Sequence, residues 1–207
     1  MVFSSVIFLF YFLPVVLGAY FLFPRARNDI LLVASLVFYA WGELAFFPVL
    51  LGVIAINYIV ALRFAGARRR RAWLVAGICA NLAVLGCFKY LSFLDANLHG
   101  LLGWHIPGAG RFSRIPLGIS FFTFQAMSYL IDVYRSVATH SPSLLNVGLY
   151  IGMFPHMVAG PIVRYHTIAK GLIRRCITAG RILFGLRLFV VGLAQKTLIA
   201  NNMGVVA

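Results

Sequence analysis

Long uncharged apolar stretches alternate along the chain with short polar or basic segments. The uncharged stretches cover residues 2–23, 30–42, 44–62, 72–88 and 115–131, and a last apolar stretch, 182–201, contains Arg187 and Lys196. A helix needs about 20 mostly apolar residues to cross a hydrocarbon core of about 30 Å. The stretch 30–42 would reach only about 20 Å as a helix, and Pro14 is expected to kink the first stretch. The pattern predicts an all-α, polytopic membrane protein with about five to six membrane-embedded helices.

Residues 91–105 combine a leucine repeat with polar residues. The leucines recur at helical spacing, at Leu91, Leu94, Leu98, Leu101 and Leu102. The polar residues that fall between them are Asp95, Asn97 and His99. This alternation predicts an interfacial amphipathic helix that lies along the membrane surface and ends near Trp104.

An uncharged region broken by proline and glycine occupies residues 136–163. The breaks are Pro142, Pro155, Gly160 and Pro161. Non-helical backbone is tolerated at membrane depth only where protein or a watery cavity surrounds it. We therefore expect residues 136–165 to form a re-entrant loop or a pair of half-helices, with the sequence FPHMVAGPIVRY (residues 154–165) lining a cavity. The alternative is an irregular connector at the membrane interface.

Basic residues are concentrated between the apolar stretches, and residues 164–181 are predicted to form one basic loop. Lys and Arg number 18 against 4 Asp and Glu, which gives a formal net charge of +14. Short basic loops between spans are typical of the cytoplasmic face of a membrane protein, so the charge does not indicate nucleic-acid binding. One topology places every basic loop in the cytoplasm. It puts the N-terminus in the periplasm and both ends of the broken region on the cytoplasmic side.

His156 is the histidine best placed for chemistry, because turn residues flank it in an apolar region. Ionisable groups within the membrane are costly and are functional candidates by default. His156 could act as a base, relay a proton or hold the loop through a hydrogen bond. Arg164 could pair with an anionic group or lie at the level of the lipid headgroups. Gly160 and Pro161 are expected to make the turn.

The remaining ionisable residues inside the apolar stretches or at their ends are assigned structural roles, and Glu43 is predicted to be a plain turn residue. Asp132 and Arg135 are expected to form an i, i+3 pair at a helix end. Lys89 is placed to extend its ammonium group to the interface. Arg187 and Lys196 project from opposite faces of the last span, where both need polar partners or an interface.

No spacing typical of a metal or cofactor site occurs in the chain. Cys79, Cys87 and Cys176 show no paired spacing, so neither a disulfide framework nor a metal site is expected. A Ser-His-Asp set, a phosphate-binding loop and a dinucleotide fingerprint are all missing from the sequence. The residues alone therefore predict a polytopic membrane protein with a polar broken segment and no bound cofactor.

Several stretches, taken together and in order, resemble the membrane-bound O-acyltransferase family, and within it the alginate O-acetyltransferase-like branch. They are MVFSSVIFLFYFLP, VASLVFYAWGE, FKYLSF, LGISFFTFQAMSYLIDVYR, FPHMVAGPIVRY and GLAQKTLIAN. The resemblance covers nearly the whole chain. It implies a many-helix core around a funnel in a bacterial inner (cytoplasmic) membrane, where an acyl group passes from a donor to a hydroxyl.

The same resemblance implies O-acetylation of an exopolysaccharide such as alginate. The acyl donor would be a co-substrate, and a polysaccharide acceptor or periplasmic acetyl-transfer proteins would be the partners. The catalytic histidine of the family is expected beyond residue 207, so the chain would be an N-terminal half and inactive alone. His156, Gly160, Pro161 and Arg164 would line the funnel or shape the loop.

Two other functions stay open from the sequence. One is the D-alanyl-transferring branch of the same family, and the other is a non-catalytic component of membrane transport or export. A transporter would be favoured by inverted repeats and an ion site at the membrane midplane. The arginine run and the amphipathic segment each occur once, and we find no repeat between the two halves of the chain.

Thiol labelling tests whether residues 154–165 dip into the membrane from the cytoplasm. Single cysteines across these positions should react with a membrane-impermeant reagent applied from the cytoplasmic side, because both ends of the segment are predicted to lie there. Strong labelling of every position from the periplasm of intact cells would contradict the prediction.

Overall fold

The computed structural model describes residues 5–64, 69–104, 114–135, 143–157, 160, 163–173, 175 and 177–206. Within these ranges every regular element is a helix, which confirms the predicted all-α class. The α-helices are α1 (Leu13–Leu22), α2 (Arg27–Glu43), α3 (Phe47–Phe64), α4 (Arg70–Leu102), α5 (Ile119–Tyr134), α6 (Leu144–Gly152), α7 (Phe154–Met157), α8 (Tyr165–Ile173), α9 (Ala179–Ala194) and α10 (Asn201–Val206).

Among the described residues, three helical stretches are long and apolar enough to cross a membrane. They are Pro24–Phe64, Arg70–Leu101 and Ala179–Met203, and the shorter apolar helix Phe8–Leu22 precedes them. These lengths and compositions identify the chain as a multi-pass membrane protein.

The first of the three stretches turns at Glu43. The backbone there has φ −148° and ψ 60°, and a 3₁₀ turn, Leu44–Phe46, leads into α3. The turn predicted at Glu43 is confirmed. Helix α2 has 17 residues and a length of about 25 Å. It is longer than the predicted stretch 30–42 because its first turn includes residues 27–29.

The first apolar helix is irregular around Pro14, as expected. A π-helical turn, Phe8–Phe12, passes directly into α1, which carries a proline in its first turn. Proline has no backbone N–H, so the carbonyl four residues earlier loses its usual partner. A widened π turn is one way in which a helix accommodates such an interruption.

Helix α4 differs from the prediction for residues 91–105. The expected separation into a span, 72–88, and an interfacial helix, 91–105, is not observed, because α4 runs unbroken for 33 residues. No proline interrupts it, and it ends where Gly103 (φ 68°) donates its N–H to the His99 carbonyl at 3.0 Å. Its length of about 50 Å exceeds a hydrocarbon core of about 30 Å. The placement of residues 91–105 at the interface stays a prediction.

Helices α2, α3, α5 and α6 form the packed centre of the described structure, and α4 lies against α3 and α5. Gly77 lies where α4 closely approaches both α3 and α5. A Cβ atom there would lie 2.6 Å from a methyl carbon of Leu130 on α5 and 3.0 Å from Val60 on α3. The small residue therefore lets three helices meet, as is common in membrane interiors.

Arginines gather at one end of the bundle, here called the basic end. Arg63 of α3 lies over the ring of Trp73 at 5.3 Å, and Arg70 of α4 lies over Tyr134 of α5 at 5.9 Å. At the opposite end, Phe46 contacts Phe88 of α4 with ring centroids 5.8 Å apart. Helices α2 and α4 therefore lead away from the basic end, and α3 and α5 lead back to it. The basic end comprises Arg27, Arg63, Arg70, Arg135, Arg164 and Arg175.

Helix α9 begins earlier than the predicted boundary at residue 182. Thr178 caps it by accepting a hydrogen bond from the Arg181 backbone at 3.4 Å, so the helix starts at Ala179. No residue of Ala179–Met203 is buried by the rest of the described chain. The polar partners expected for Arg187 and Lys196 are not found among the described residues.

A reciprocal amide pair joins α3 to α4 inside the apolar region. The side chains of Asn57 and Asn81 donate to each other at 3.0 Å in both directions. Each also donates to a carbonyl one turn earlier in its own helix, Val53 or Gly77, at 2.8 Å. Both asparagines are almost completely buried. Every amide donor is used, so the pair fixes the register of the two helices.

Replacing one member of this pair should cost more than replacing both. Asn57→Leu leaves Asn81 buried without its partner, and we expect the free energy of unfolding in mixed micelles to fall by about 1–3 kcal/mol. Adding Asn81→Leu should restore part of that loss, and Asn97→Leu on the exposed face of α4 serves as the control. If the two single losses simply add in the double variant, the pair is not coupled.

Candidate functional site

The broken segment enters the bundle at the basic end and returns to it. At the start of α6, Leu145 shares a cavity with Asn28 and Arg175. At the other end, Arg164 shares a cavity with Asp132 of α5. Helix α6 has 9 residues and a length of about 14 Å, roughly half of a hydrocarbon core. This is the path that a re-entrant segment requires. Its depth in a bilayer stays a prediction.

A buried serine holds the innermost part of the segment. Phe154 begins α7, and its backbone N–H donates to Ser35 Oγ of α2 at 3.1 Å. The Ser35 hydroxyl in turn donates to the Leu31 carbonyl at 2.6 Å. Ser35 has no exposed surface. The chain leaves helix α6 just before this point, so the serine supplies a partner that the interrupted helix cannot supply.

Four phenylalanine rings surround the same point. Phe8, Phe12, Phe38 and Phe154 come from the first helix, from α2 and from the broken segment. All pairs of these rings have centroids 5.5 to 6.0 Å apart. Edge-on and tilted geometries predominate, which aromatic pairs prefer. The cluster fixes how far the tip of the segment extends from the basic end.

The returning arm of the segment is held by side chains from its neighbours. The Val163 carbonyl accepts a hydrogen bond from the Tyr150 hydroxyl at 2.7 Å and from the Gln125 amide at 3.4 Å. The same Gln125 amide lies 3.4 Å from the Tyr150 carbonyl. Tyr150 is fully buried and Gln125 almost so. Backbone that leaves the helical pattern here is thus hydrogen-bonded by α5 and α6.

Helix α8 was not expected, since residues 164–181 are predicted as a basic loop, and this prediction is wrong for Tyr165–Ile173. Asp132 Oδ2 accepts a hydrogen bond from the His166 backbone N–H at 3.3 Å. The Asp132 carboxylate thus lies at the first turn of α8, where negative charge stabilises a helix. The Tyr165 ring packs against Tyr129 and Tyr150 with centroids 4.9 and 5.0 Å apart. These tertiary contacts stabilise a short helix in a sequence rich in basic residues.

Asp132 pairs with a residue other than the predicted one. Its Oδ2 lies 3.3 Å from His166 Nδ1. Within the described ranges no ion pair links Asp132 to Arg135, so the predicted i, i+3 pair is incorrect. The carboxylate is almost fully buried, and it faces the broken segment rather than its own helix end.

His156 projects from α7 near the tip of the segment. Its backbone N–H donates to the Met153 carbonyl at 3.2 Å. Both ring nitrogens are buried, and neither has a hydrogen-bond partner in the described part of the chain. Buried polar atoms normally find a partner. Of the three predicted roles, holding the loop by a hydrogen bond therefore has no support among the described contacts.

The other predicted site residues do not cluster around His156. Gly160 has φ 129°, a conformation that side-chain-bearing residues rarely adopt, which agrees with its predicted turn. Pro161 lies outside the described residues. Arg164 is exposed and lines a cavity of about 430 Å³ together with Asp132 and Arg135. His156 does not line that cavity.

Sequence reasoning missed the residues that hold the segment in place: Ser35, Gln125, Tyr150 and His166. Ser35 and Gln125 stand inside uncharged apolar stretches. A polar residue in such a stretch usually faces the bundle interior, and this signal alone could have selected both. His166 carries no comparable signal, because it lies in a polar and basic region.

The chain resembles known proteins over its whole length. It is 40% identical to the probable alginate O-acetylase AlgI of Pseudomonas aeruginosa and 38% identical to that of Azotobacter vinelandii, with all of this chain covered in both. It is 33% identical, over 98% of the chain, to a peptidoglycan O-acetyltransferase of Helicobacter pylori. The chain spans 41%, 43% and 45% of these relatives. No family model and no solved structure matches it.

Removing the Tyr150 hydroxyl should loosen the returning arm. Tyr150→Phe deletes the shorter hydrogen bond to the Val163 carbonyl, and we expect the free energy of unfolding to fall by about 1 kcal/mol. The matched control is Tyr11→Phe, since Tyr11 is exposed, and its stability should be unchanged. Equal stability of both variants in a detergent melting experiment would show that the contact contributes nothing.

Proposed function

Because the chain belongs to the membrane-bound O-acyltransferase family and matches the N-terminal part of the alginate O-acetylases, we propose that it forms part of the wall of a membrane-embedded O-acetyltransferase. The complete enzyme would transfer an acetyl group to a hydroxyl of an exopolysaccharide such as alginate. The chain covers about two-fifths of its relatives, so the activity belongs to a longer protein of which this chain supplies a portion.

One observation supports this role above the others. The broken segment carries His156 to the interior of a helical bundle, with both ring nitrogens unpaired among the described residues. The Phe154 amide and the Val163 carbonyl are hydrogen-bonded by side chains of α2 and α6. A buried histidine whose ring nitrogens have no partner among the described residues suits the wall of a funnel that binds a reacting molecule.

The chemistry assigned to this funnel is acyl transfer. An acceptor hydroxyl attacks the carbonyl carbon of the acyl donor and passes its proton to a base. The bond between that carbon and the donor's leaving group then breaks, and the leaving group departs with the electron pair and takes up a proton. The base is expected in the later portion of the enzyme. The residues of this chain would orient the acyl donor and keep water away from it, and His156 would donate a hydrogen bond to a reacting group or accept one from it.

We propose that the basic end faces the cytoplasmic side of a bacterial inner membrane and that the N-terminus lies in the periplasm. The arginines of the basic end lie on one side of the described bundle, and positive residues favour the cytoplasmic side. The acyl donor would then reach the broken segment from the cytoplasm. The polysaccharide, or periplasmic proteins that relay the acetyl group, would receive the acetyl group on the far side.

Peptidoglycan is the second acceptor to consider. One relative is named a peptidoglycan O-acetyltransferase, and its hydroxyl acceptor is chemically similar to that of alginate. The higher identity to relatives named alginate O-acetylase, 40% and 38% against 33%, favours an exopolysaccharide. A D-alanyl-transferring enzyme and a transport component have no specific observation in their favour.

Substituting His156 in the full-length gene product should reduce acetylation of the polymer at least tenfold. A hydrogen bond to a charged or reacting group contributes about 1.5–3 kcal/mol. His156→Gln keeps a polar side chain but moves its donor and acceptor away from the positions of the ring nitrogens, so most of this contribution should be lost. The acetyl content of the secreted polysaccharide is measured against the amount of protein in the membrane. His99→Gln, on the exposed end of α4, is the control and should leave acetylation unchanged.

Full acetylation by the His156→Gln protein would contradict the role of the broken segment. Loss of acetylation with normal membrane levels of the protein would support it. The 207-residue chain produced alone should acetylate no polymer, and activity of that chain would show that it holds the catalytic group itself.

A further inference from the structure

A fixed guanidinium group ties the end of α8 to the first two helices at the basic end. Arg175 donates through Nη1 to the Tyr20 hydroxyl at 3.2 Å and through Nη2 to Asn28 Oδ1. Its Nε donates to the Gly171 carbonyl at 2.9 Å. Asn28 completes the arrangement by donating to the Leu172 carbonyl at 3.0 Å. The side chain is thus held in one position before any ligand arrives.

Arg27 is positioned by the same tyrosine. Its Nε donates to the Tyr20 carbonyl at 3.3 Å, and its guanidinium carbon lies 5.2 Å from the centre of the Tyr20 ring. Arg175 lies 5.5 Å from the same ring centre. Two guanidinium groups are therefore held around one aromatic ring at the junction of α1 and α2.

Two cavities of different character meet at Arg175 and Leu172. One, of about 260 Å³, is polar and is lined by Arg25, Arg27, Asn28 and Asp29 as well as the two shared residues. The other, of about 390 Å³, lies between α1 and α8. It is mostly apolar, with Leu13, Leu17 and Ile168 among its lining residues.

The charge at this junction favours an anion. Three guanidinium groups, those of Arg25, Arg27 and Arg175, face one carboxylate, that of Asp29. Guanidinium groups are well suited to phosphate, since they can donate two parallel hydrogen bonds to its oxygens. A free phosphate would leave the adjoining apolar cavity unfilled, whereas a ligand with an acyl chain would occupy both cavities.

We propose that this junction is a binding site for an anionic phospholipid. The phosphate binds among Arg25, Arg27 and Arg175, and one acyl chain lies in the apolar cavity against Leu17. Basic pockets between membrane helices on the cytoplasmic side commonly bind anionic headgroups. The site joins α1, α2 and α8. His156 lines neither cavity, although Met153 and Phe154 of the broken segment line the apolar one.

Lipid retention by the purified full chain tests the proposal. The chain is exchanged into mild detergent with either phosphatidylglycerol or phosphatidylcholine, and bound lipid is counted by native mass spectrometry. We expect at least fivefold greater retention of phosphatidylglycerol, because a basic residue near an anionic headgroup changes binding by about fivefold. Equal retention of the two lipids would overturn the proposal.

Variants separate the headgroup from the acyl chain. Arg25→Gln should lower phosphatidylglycerol retention about fivefold, and Arg71→Gln, an exposed arginine outside the junction, should not change it. Leu17→Trp should lower retention by filling the apolar cavity without altering charge. Arg25 is chosen to test headgroup binding because Arg175→Gln would also remove contacts that support the fold.

Competition with inorganic phosphate is the last part of the experiment. If millimolar phosphate displaced phosphatidylglycerol completely, the site would bind a phosphate group alone and the proposal would be wrong. If phosphatidylglycerol stays bound, while Arg25→Gln and Leu17→Trp each weaken it, a phospholipid is the ligand. Unchanged retention in both variants would also refute the proposal.

Discussion

Backbone amides and carbonyls that leave a helix inside an apolar environment still require hydrogen-bond partners, because water is not there to supply them. The broken segment of this protein meets that requirement with side chains from its neighbours. Ser35 accepts from the backbone of Phe154 at the tip, and Tyr150 and Gln125 donate to Val163 on the returning arm. These contacts hold a chain reversal within a bundle that is otherwise helical.

The same contacts determine what the segment presents. The Phe154 amide and the Val163 carbonyl are hydrogen-bonded by side chains, and Phe154 packs among three other phenylalanine rings, so the described part of the segment is held in place. His156 is thereby placed with both ring nitrogens buried and without a partner among the described residues. Asp132 links the helix before the broken segment to the helix after it, because it lies on α5 and accepts a hydrogen bond from the first turn of α8. Such support of a few polar groups is what the proposed acyl-transfer funnel would require.

Much of this architecture could be predicted from the pattern of apolar residues, because each span must be long enough to cross the bilayer. The turn at Glu43 and the left-handed Gly160 followed from local chemistry. The partners of polar residues could not be predicted in the same way. Asn57 and Asn81 are 24 positions apart, and only the packing of α3 against α4 brings them together. Helix α8 was not predicted because tertiary contacts, rather than its own sequence pattern, stabilise it. The continuity of α4 was not predicted because the polar residues after position 88 suggested a boundary, but none of them interrupts the helix.

The central claim is that the chain reverses inside the bundle with its backbone hydrogen-bonded by protein. Hydrogen–deuterium exchange of the Phe154 and His166 amides in the full chain tests this directly, because both donate to side chains of other helices. The account predicts that both amides exchange as slowly as those in the middle of α5. Exchange at the rate of an exposed loop would contradict it and would place the segment at the membrane surface.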